Sequence, residues 1–216
     1  MFTNLSDAHS LVSLWLSELR DTTLQTNSAR FRHNLERIGE VCAWEISKTL
    51  DYTPVKVTTH LGTATGQALT TQPVIATILR AGLPLHQGLL HYFDQADSAF
   101  IGAYRKHSHD YSFVIDQQYV ACPPVEGRPL IIADTMLATG ASLTLAINTL
   151  LATGQPSALH IVCVIASAAG IQHIQDQFPT AHLWAGAVDP VLSAANYIVP
   201  GLGDAGDLCF GKKLQF

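Results

Sequence analysis

The sequence predicts an α/β protein: a central, mostly parallel sheet flanked by helices, with an N-terminal helical segment and a β-hairpin hood. Three observations predict it. Short apolar runs alternate with helical stretches from residue 74 onward, the pattern of right-handed βαβ units. Apolar residues make up 48% of the 216 and charged residues only 13%, with mean hydropathy +0.21, which suits strands covered on both faces. The first fifty residues instead carry apolar positions at helical spacing. The length fits one domain over residues 1–216, with helices in 1–50, the hood in 105–129 and an irregular loop in 189–211.

Taken in order, residues 8–24 place Leu11, Val12, Trp15, Leu16 and Leu19 at helical spacing, with Asp7 or Ser6 as cap. Asn27 or Ser28 opens a second helix carrying Phe31, Leu35, Ile38, Cys42 and Ile46 on one face. Arg30, Arg32, Glu36, Arg37 and Glu40 read as its solvated, salt-bridged side. The period then changes. VIATIL (74–79), AFIGAY (99–104), LIIAD (130–134), LHIVCVIA (159–166) and HLWAGAV (182–188) read as buried strands, with helices at about 83–93, 143–152 and 168–178. Residues 105–129 mix β-favouring and polar residues, hence the hood. Residues 189–211 are rich in Gly, Asp and Ala, and so long an irregular stretch in a compact domain is usually functional. Trp15, Trp44 and Trp184 read as core or interface residues.

Several function classes fall away. Net charge is −5 and no basic run is present, so nucleic acid is not expected as a partner. No apolar run is long enough to span a bilayer, and MFTNLSDAHS has neither a basic start nor an apolar signal core; a cytoplasmic protein is expected, with no membrane partner. Cys42, Cys122, Cys163 and Cys209 lie far apart and read as free thiols. His107, Ser108, His109 and Asp110 are read as solvated rather than as a metal site.

The chemistry concentrates at LIIADTMLATGAS, residues 130–142. An apolar strand ends in one acid, Asp134, before a loop of small residues and a helix. A helix start offers unpaired N–H groups and a positive dipole end to a phosphate. Thr139 and Ser142 add hydroxyl donors, and Gly140 lets the backbone approach closely. The alternative is an ordinary N-cap with Asp134 in a plain loop. Asp134 would repel phosphate, but it can accept from sugar hydroxyls or hold a metal. Phosphate at one end and a ribose diol at the other make a ribose 5-phosphate site. Arg80 and Arg105 also follow strands, so both fall at the same sheet edge, where guanidiniums can hold pyrophosphate by paired hydrogen bonds. In GLGDAGD (201–207) the glycines permit a folded loop whose backbone can match the C=O and N–H edge of a flat base; a calcium-type or turn loop is the competing reading.

These residues carry a resemblance. ADTMLATGAS resembles the phosphoribosyl-diphosphate (PRPP) motif of type I phosphoribosyltransferases, in particular that of the uracil phosphoribosyltransferase family. ILRAGLP (78–84) resembles the family's pyrophosphate-loop segment, GAYR (102–105) its G-x-YR segment, and YIVPGLGDAGDLCFG (197–211) its uracil-recognition tail. LRDTT (19–23) and FRHNLERIGEVCAWE (31–45) follow the same pattern. The resemblance implies the type I phosphoribosyltransferase fold, with uracil and PRPP converted to UMP and diphosphate in pyrimidine salvage. It implies PRPP contacts from Arg80, Arg105, Asp134, Thr135, Met136, Leu137, Ala138, Thr139, Gly140, Ala141, Ser142 and Asp204, of which Arg80, Arg105, Asp134 and Asp204 are catalytic. It implies uracil contacts from Ile198, Gly203, Asp204 and Ala205, with Mg²⁺ as cofactor reached by Asp204 through PRPP. It further implies a homodimer or higher homo-oligomer and, in some members, a GTP effector. The sequence departs from the family at Thr135, where proline is usual, at Ala141, where a second glycine is usual, and over 106–124, where Lys106 and His107 follow the arginine. Two alternatives remain: the same chemistry on another base, and a non-catalytic nucleotide sensor or RNA-binding regulator on the same fold.

Overall fold

The structure is a computed structural model that describes residues 1–107 and 113–214, with the backbone alone described over 103–107 and 113–118. The chain opens with a short strand, β1 (Phe2–Asn4). Helix α1 (Leu11–Arg20) is capped by Ser10, whose hydroxyl accepts from the Val12 N–H. The expected caps, Asp7 and Ser6, fall too early, because the chain first pairs with the sheet and turns before the helix can start. Helix α2 (Ser28–Ser47) is capped by Asn27, which accepts from the Arg30 N–H. Each cap satisfies a donor that helix geometry leaves open. Strands β2 (Tyr52–Thr59) and β3 (Gly62–Leu69) then form a separate antiparallel hairpin, paired from Tyr52↔Leu69 to Thr59↔Gly62, which the sequence reading did not contain.

The alternating half follows: β4 (Val74–Leu79), α3 (Leu83–Leu90), β5 (Asp97–His107), β6 (Phe113–Ala121), β7 (Pro129–Leu137), α4 (Ala141–Leu151), β8 (Ala158–Ser167), α5 (Ala168–Gln177) and β9 (His182–Asp189). These strands and β1 make a seven-stranded sheet in the order β1-β9-β8-β7-β4-β5-β6. All neighbours are parallel except β5 and β6. The hairpin expected over 105–129 is therefore the antiparallel edge of this sheet, with His107 opposite Phe113. Its tip, with Ser108, His109 and Asp110, lies outside the described residues. The tail adds β10 (Val191–Leu192), β11 (Ile198–Val199) and α6 (Ala205–Phe210).

Both sheet faces are covered, which explains the unbroken apolar strands. On one side Leu16, Leu19, Phe31, Leu35, Ile38 and Leu85 pack with Ile75, Ile131, Val162 and Trp184. On the other, Leu143, Ile147, Leu150 and Ile174 of α4 and α5 pack with Leu130, Ile132 and Ile161. Helices α2 and α3 touch backbone to backbone: a Cβ on Gly39 would fall on the Leu85 carbonyl, and one on Gly88 on the Glu36 carbonyl. The expected salt-bridged side of α2 is more specific than a solvated face. Arg30 pairs with Glu18 of α1, and Arg32 donates to the Cys209 carbonyl of α6. All four cysteines are free, with Cys122 only half-buried. Trp184 is core, whereas Trp44 is 58% exposed. No described helix is long and apolar enough to cross a membrane.

One feature of the strand order locates the site. β4 and β7 are neighbours, yet the chain leaves β4 through α3 on one face and β7 through α4 on the other. Their C-terminal ends therefore part, and such a switch point opens a crevice in parallel sheets.

Candidate active site

Arg80 leaves β4 at this crevice, and its peptide bond to Leu79 is cis. The turn behind it is tight. The Gly82 N–H donates to the Ile78 carbonyl at 3.1 Å, and a Cβ on Gly82 would lie 2.7 Å from the Ala133 carbonyl of β7. Only glycine lets the turn cross the end of the neighbouring strand so closely. The Arg80 guanidinium donates to Asp207 Oδ1 at 3.1 Å and to the Gly211 carbonyl at 3.4 Å.

On β7, Asp134 is half-buried opposite Cys163 of β8. Here the structure corrects the expected loop boundary. The strand continues through Thr135, Met136 and Leu137, because Met136 and Leu137 still pair with Ile165 and Ala166. Thr135 is fully buried, and its Oγ1 has no hydrogen-bond partner among the described residues. The loop proper is Ala138, Thr139 and Gly140. Gly140 holds φ +84° and starts α4 without a side-chain cap, so the first-turn N–H groups are not consumed by it. The Ala141 N–H lies 3.4 Å from Thr139 Oγ1, and Ser142 is half-buried in the same turn. Three residues that sequence reasoning missed brace this loop from the end of β8 and from α5. Ser167 Oγ donates to the Ala138 carbonyl at 2.5 Å, Gly170 leaves no room for a side chain under that carbonyl, and His173 packs beneath Gly140, 3.0 Å from Thr144 Oγ1.

The third component is the tail. Ile198 is buried, Gly201 and Gly203 adopt φ +60° and +96°, and Ala205 is buried at the start of α6. Asp204 caps α6 by accepting from the Asp207 N–H at 3.0 Å. Its other oxygen accepts from Lys213 Nζ at 2.9 Å. Burial pushes the Asp204 carboxyl up, but the Asp207 N–H and the Lys213 ammonium together hold it below its ordinary value. A Cβ on Gly206 would stand 3.9 Å from Ala81 Cβ and 3.8 Å from Arg80 Nη2. The tail therefore lies against the β4 turn.

The structure thus brings Arg80 and the 204–207 turn into contact and sets the 138–142 loop on the adjoining strand end. Arg105 lies where β5 runs past its last pairing with β4, Leu79↔Gly102; its side chain is outside the described residues. Among the described residues no cluster of His, Cys, Asp and Glu could hold a metal ion by itself. Asp204 offers a carboxylate oxygen already matched to a cation, the Lys213 ammonium. Both of its oxygens are thus engaged, and Mg²⁺ would gain a protein ligand here only where the ammonium gives way.

A family model described as uracil phosphoribosyltransferase matches residues 6–212. The uracil phosphoribosyltransferase of Porphyromonas gingivalis is 46% identical over 212 residues, which cover 98% of each chain. That of Pyrobaculum arsenaticum is 38% identical over 205 residues, 94% of this chain and 96% of its own. Among solved structures, the AQ2163 protein from Aquifex aeolicus shares the fold with a TM-score of 0.87 at 27% identity, covering 100% of both chains.

Proposed function

Because the chain belongs to the uracil phosphoribosyltransferase family, we propose that it is a pentosyltransferase of pyrimidine salvage, converting uracil and PRPP to UMP and diphosphate. The observation that carries this reading is the near full-length match at 46% identity. Support comes from the strand ends: the 138–142 loop and half-buried Asp134 belong to β7, whose neighbour β4 carries Arg80 against the glycine-rich coil. The 5-phosphate binds the N–H groups and hydroxyls of residues 138–142, with Thr135, Met136 and Leu137 serving through their backbone. Asp134 accepts from the ribose hydroxyls. Uracil lies against Ile198, Gly203, Asp204 and Ala205, whose backbone groups match its alternating acceptors and donors.

The chemical step is displacement at the anomeric carbon, in which the bond to pyrophosphate breaks as the bond to the uracil nitrogen forms. The protein's task is alignment of the two reactants and stabilisation of the leaving anion. Arg80 and Arg105 supply charge-assisted donors to that anion. Mg²⁺, when bound, neutralises diphosphate oxygens, and Asp204 would assist in holding it. As the new bond forms, the uracil nitrogen releases its proton to solvent or to the departing diphosphate; backbone contacts ease that loss, and no side chain is assigned as base.

The same reading includes a cytoplasmic location and a homo-oligomer. The β2–β3 hairpin favours the oligomer. Val55 stands opposite Gly66 and Val57 opposite Ala64, so one face is apolar, yet Val55 and Val57 are 37% and 43% exposed. A lone two-stranded hairpin is marginal in water, and a second copy of the chain would cover that face. A GTP effector belongs to the reading by family likeness alone, and titration of GTP against initial rates tests it. The regulator alternative draws no support from the comparisons.

The direct experiment is incubation with uracil, PRPP and Mg²⁺ followed by detection of UMP. Other free bases run alongside test the competing substrate, and an absence of UMP overturns the reading. Asp134→Asn and Arg80→Gln are each expected to lower kcat/KM by about 100-fold or more. Near-normal rates in both would remove their assigned roles.

A further inference from the structure

We propose that Arg20 and Asp189 are positioning residues for the base: one ion pair grips Gly201 by both its backbone groups and so sets where the uracil-reading coil stands. This rests on the assignment of that coil to uracil. Asp189 ends β9 and is only 4% exposed, a place where a carboxylate persists only when paired. Arg20, the last residue of α1, meets it as a two-pronged fork, Nη1 to Oδ2 and Nη2 to Oδ1, both at 2.8 Å. The fork does more than neutralise. Asp189 Oδ2 accepts from the Gly201 N–H at 2.8 Å, and Arg20 Nη1 donates to the Gly201 carbonyl at 2.9 Å. Gly201 itself is confined: it sits at φ +60°, and a Cβ there would fall on the Ile198 carbonyl. Gln25 extends the grip, donating to the Leu19 and Leu202 carbonyls at 3.0 and 3.3 Å. Gly203, Asp204 and Ala205 follow directly.

A buried ion pair is weak evidence of stabilisation, since desolvation opposes its Coulomb gain. What distinguishes this one is the segment it holds. The phosphate loop is braced by other side chains, Ser167 at the end of β8 and Gly170 in α5. Ser167 and Asp189 are ladder neighbours across β8 and β9, but that pairing is backbone and does not use the ion pair, so loss of the ion pair acts first on the base end.

Initial rates with both substrates varied test this in Asp189→Asn and in the milder Arg20→Lys, which replaces the fork by a single ammonium. The expected result is a KM for uracil raised about tenfold with a clearly smaller rise in the KM for PRPP, which the same coil meets only through Asp204, and a smaller rate preference for uracil over cytosine. Arg20→Lys should lie between wild type and Asp189→Asn. Equal rises in both KM values, a fall in kcat alone, or wild-type constants in both variants would overturn the proposal. Should Asp189→Asn fail to fold, Arg20→Lys and Gln25→Ala carry the same comparison. Amide hydrogen exchange decides independently of turnover. Exchange at Leu202 to Ala205 should quicken in the variants while that of the 138–142 loop stays put; unchanged exchange in the coil counts against the clamp. An inactive wild type with a coil loosened in the variants would instead sink the assigned activity and leave the clamp standing.

Discussion

His160 is 5% exposed at the start of β8, where its Nδ1 accepts from Trp184 Nε1 at 3.3 Å. Burial, and then the charge of neighbouring His182, push its pKa from 6.5 down to about 4. The unfolded chain therefore takes up this proton first. Stability is complete above pH 6.5, falls as pH drops toward 4, and levels off below that for this group. His160→Gln keeps an acceptor for Trp184 without the titration, so its Tm should fall less steeply between pH 6.5 and 4 in a thermal melt series. A lone histidine in an apolar run gives no sign of such a shift, because burial and His182 enter only through the sheet. The same limit applies at the site. That Asp134 and Arg80 would stand at the ends of neighbouring strands was legible because each follows a short apolar run, and the folded 201–207 coil was legible from its glycines. Ser167, Gly170 and the partnership of Arg20 with Asp189 were not, because each acts on a segment distant along the chain.

Among the elements, α2 and α3 are the pair whose approach depends on missing side chains. Backbone rather than a flexible side chain meets the space beside Gly39 and Gly88, so neither helix can yield without moving. Gly39→Ala or Gly88→Ala should cost about 1–3 kcal/mol, despite the better helix propensity of alanine, as read by denaturant melts. Strands β4, β8 and β9 were legible to within a residue or two because burial on both faces selects unbroken apolar runs. β7 outran its reading by three residues, since Asp134 looks like a terminus although the ladder to β8 continues past it. The β2–β3 hairpin left no such mark. Its exposed residues include Tyr52, Pro54, Lys56, Gln67 and several threonines and alanines beside two valines, and strand pairing alone imposes little pattern. β1 is three residues long, too short for any period to show.

At the scale of the whole molecule, that hairpin carries its own expectation. Wild-type protein should sediment as a dimer or larger, and Val55→Lys combined with Val57→Lys should shift it toward monomer, while a monomeric wild type would remove the role given to the apolar face. The alternation of strand and helix announced a parallel sheet, but not its order, because right-handed crossovers permit several. The order is what makes β4 and β7 part at their ends. It also fixes a dimension. The 138–142 loop is braced from the β8–α5 junction on one side of the sheet, and the coil is tied to α1 on the other. The bracing residues Ser167 and Asp189 are ladder neighbours across β8 and β9, so the β layer between the two helical layers acts as a calliper. Its jaw opening is a multiple of the strand spacing of about 4.8 Å, which side-chain repacking in one layer cannot retune.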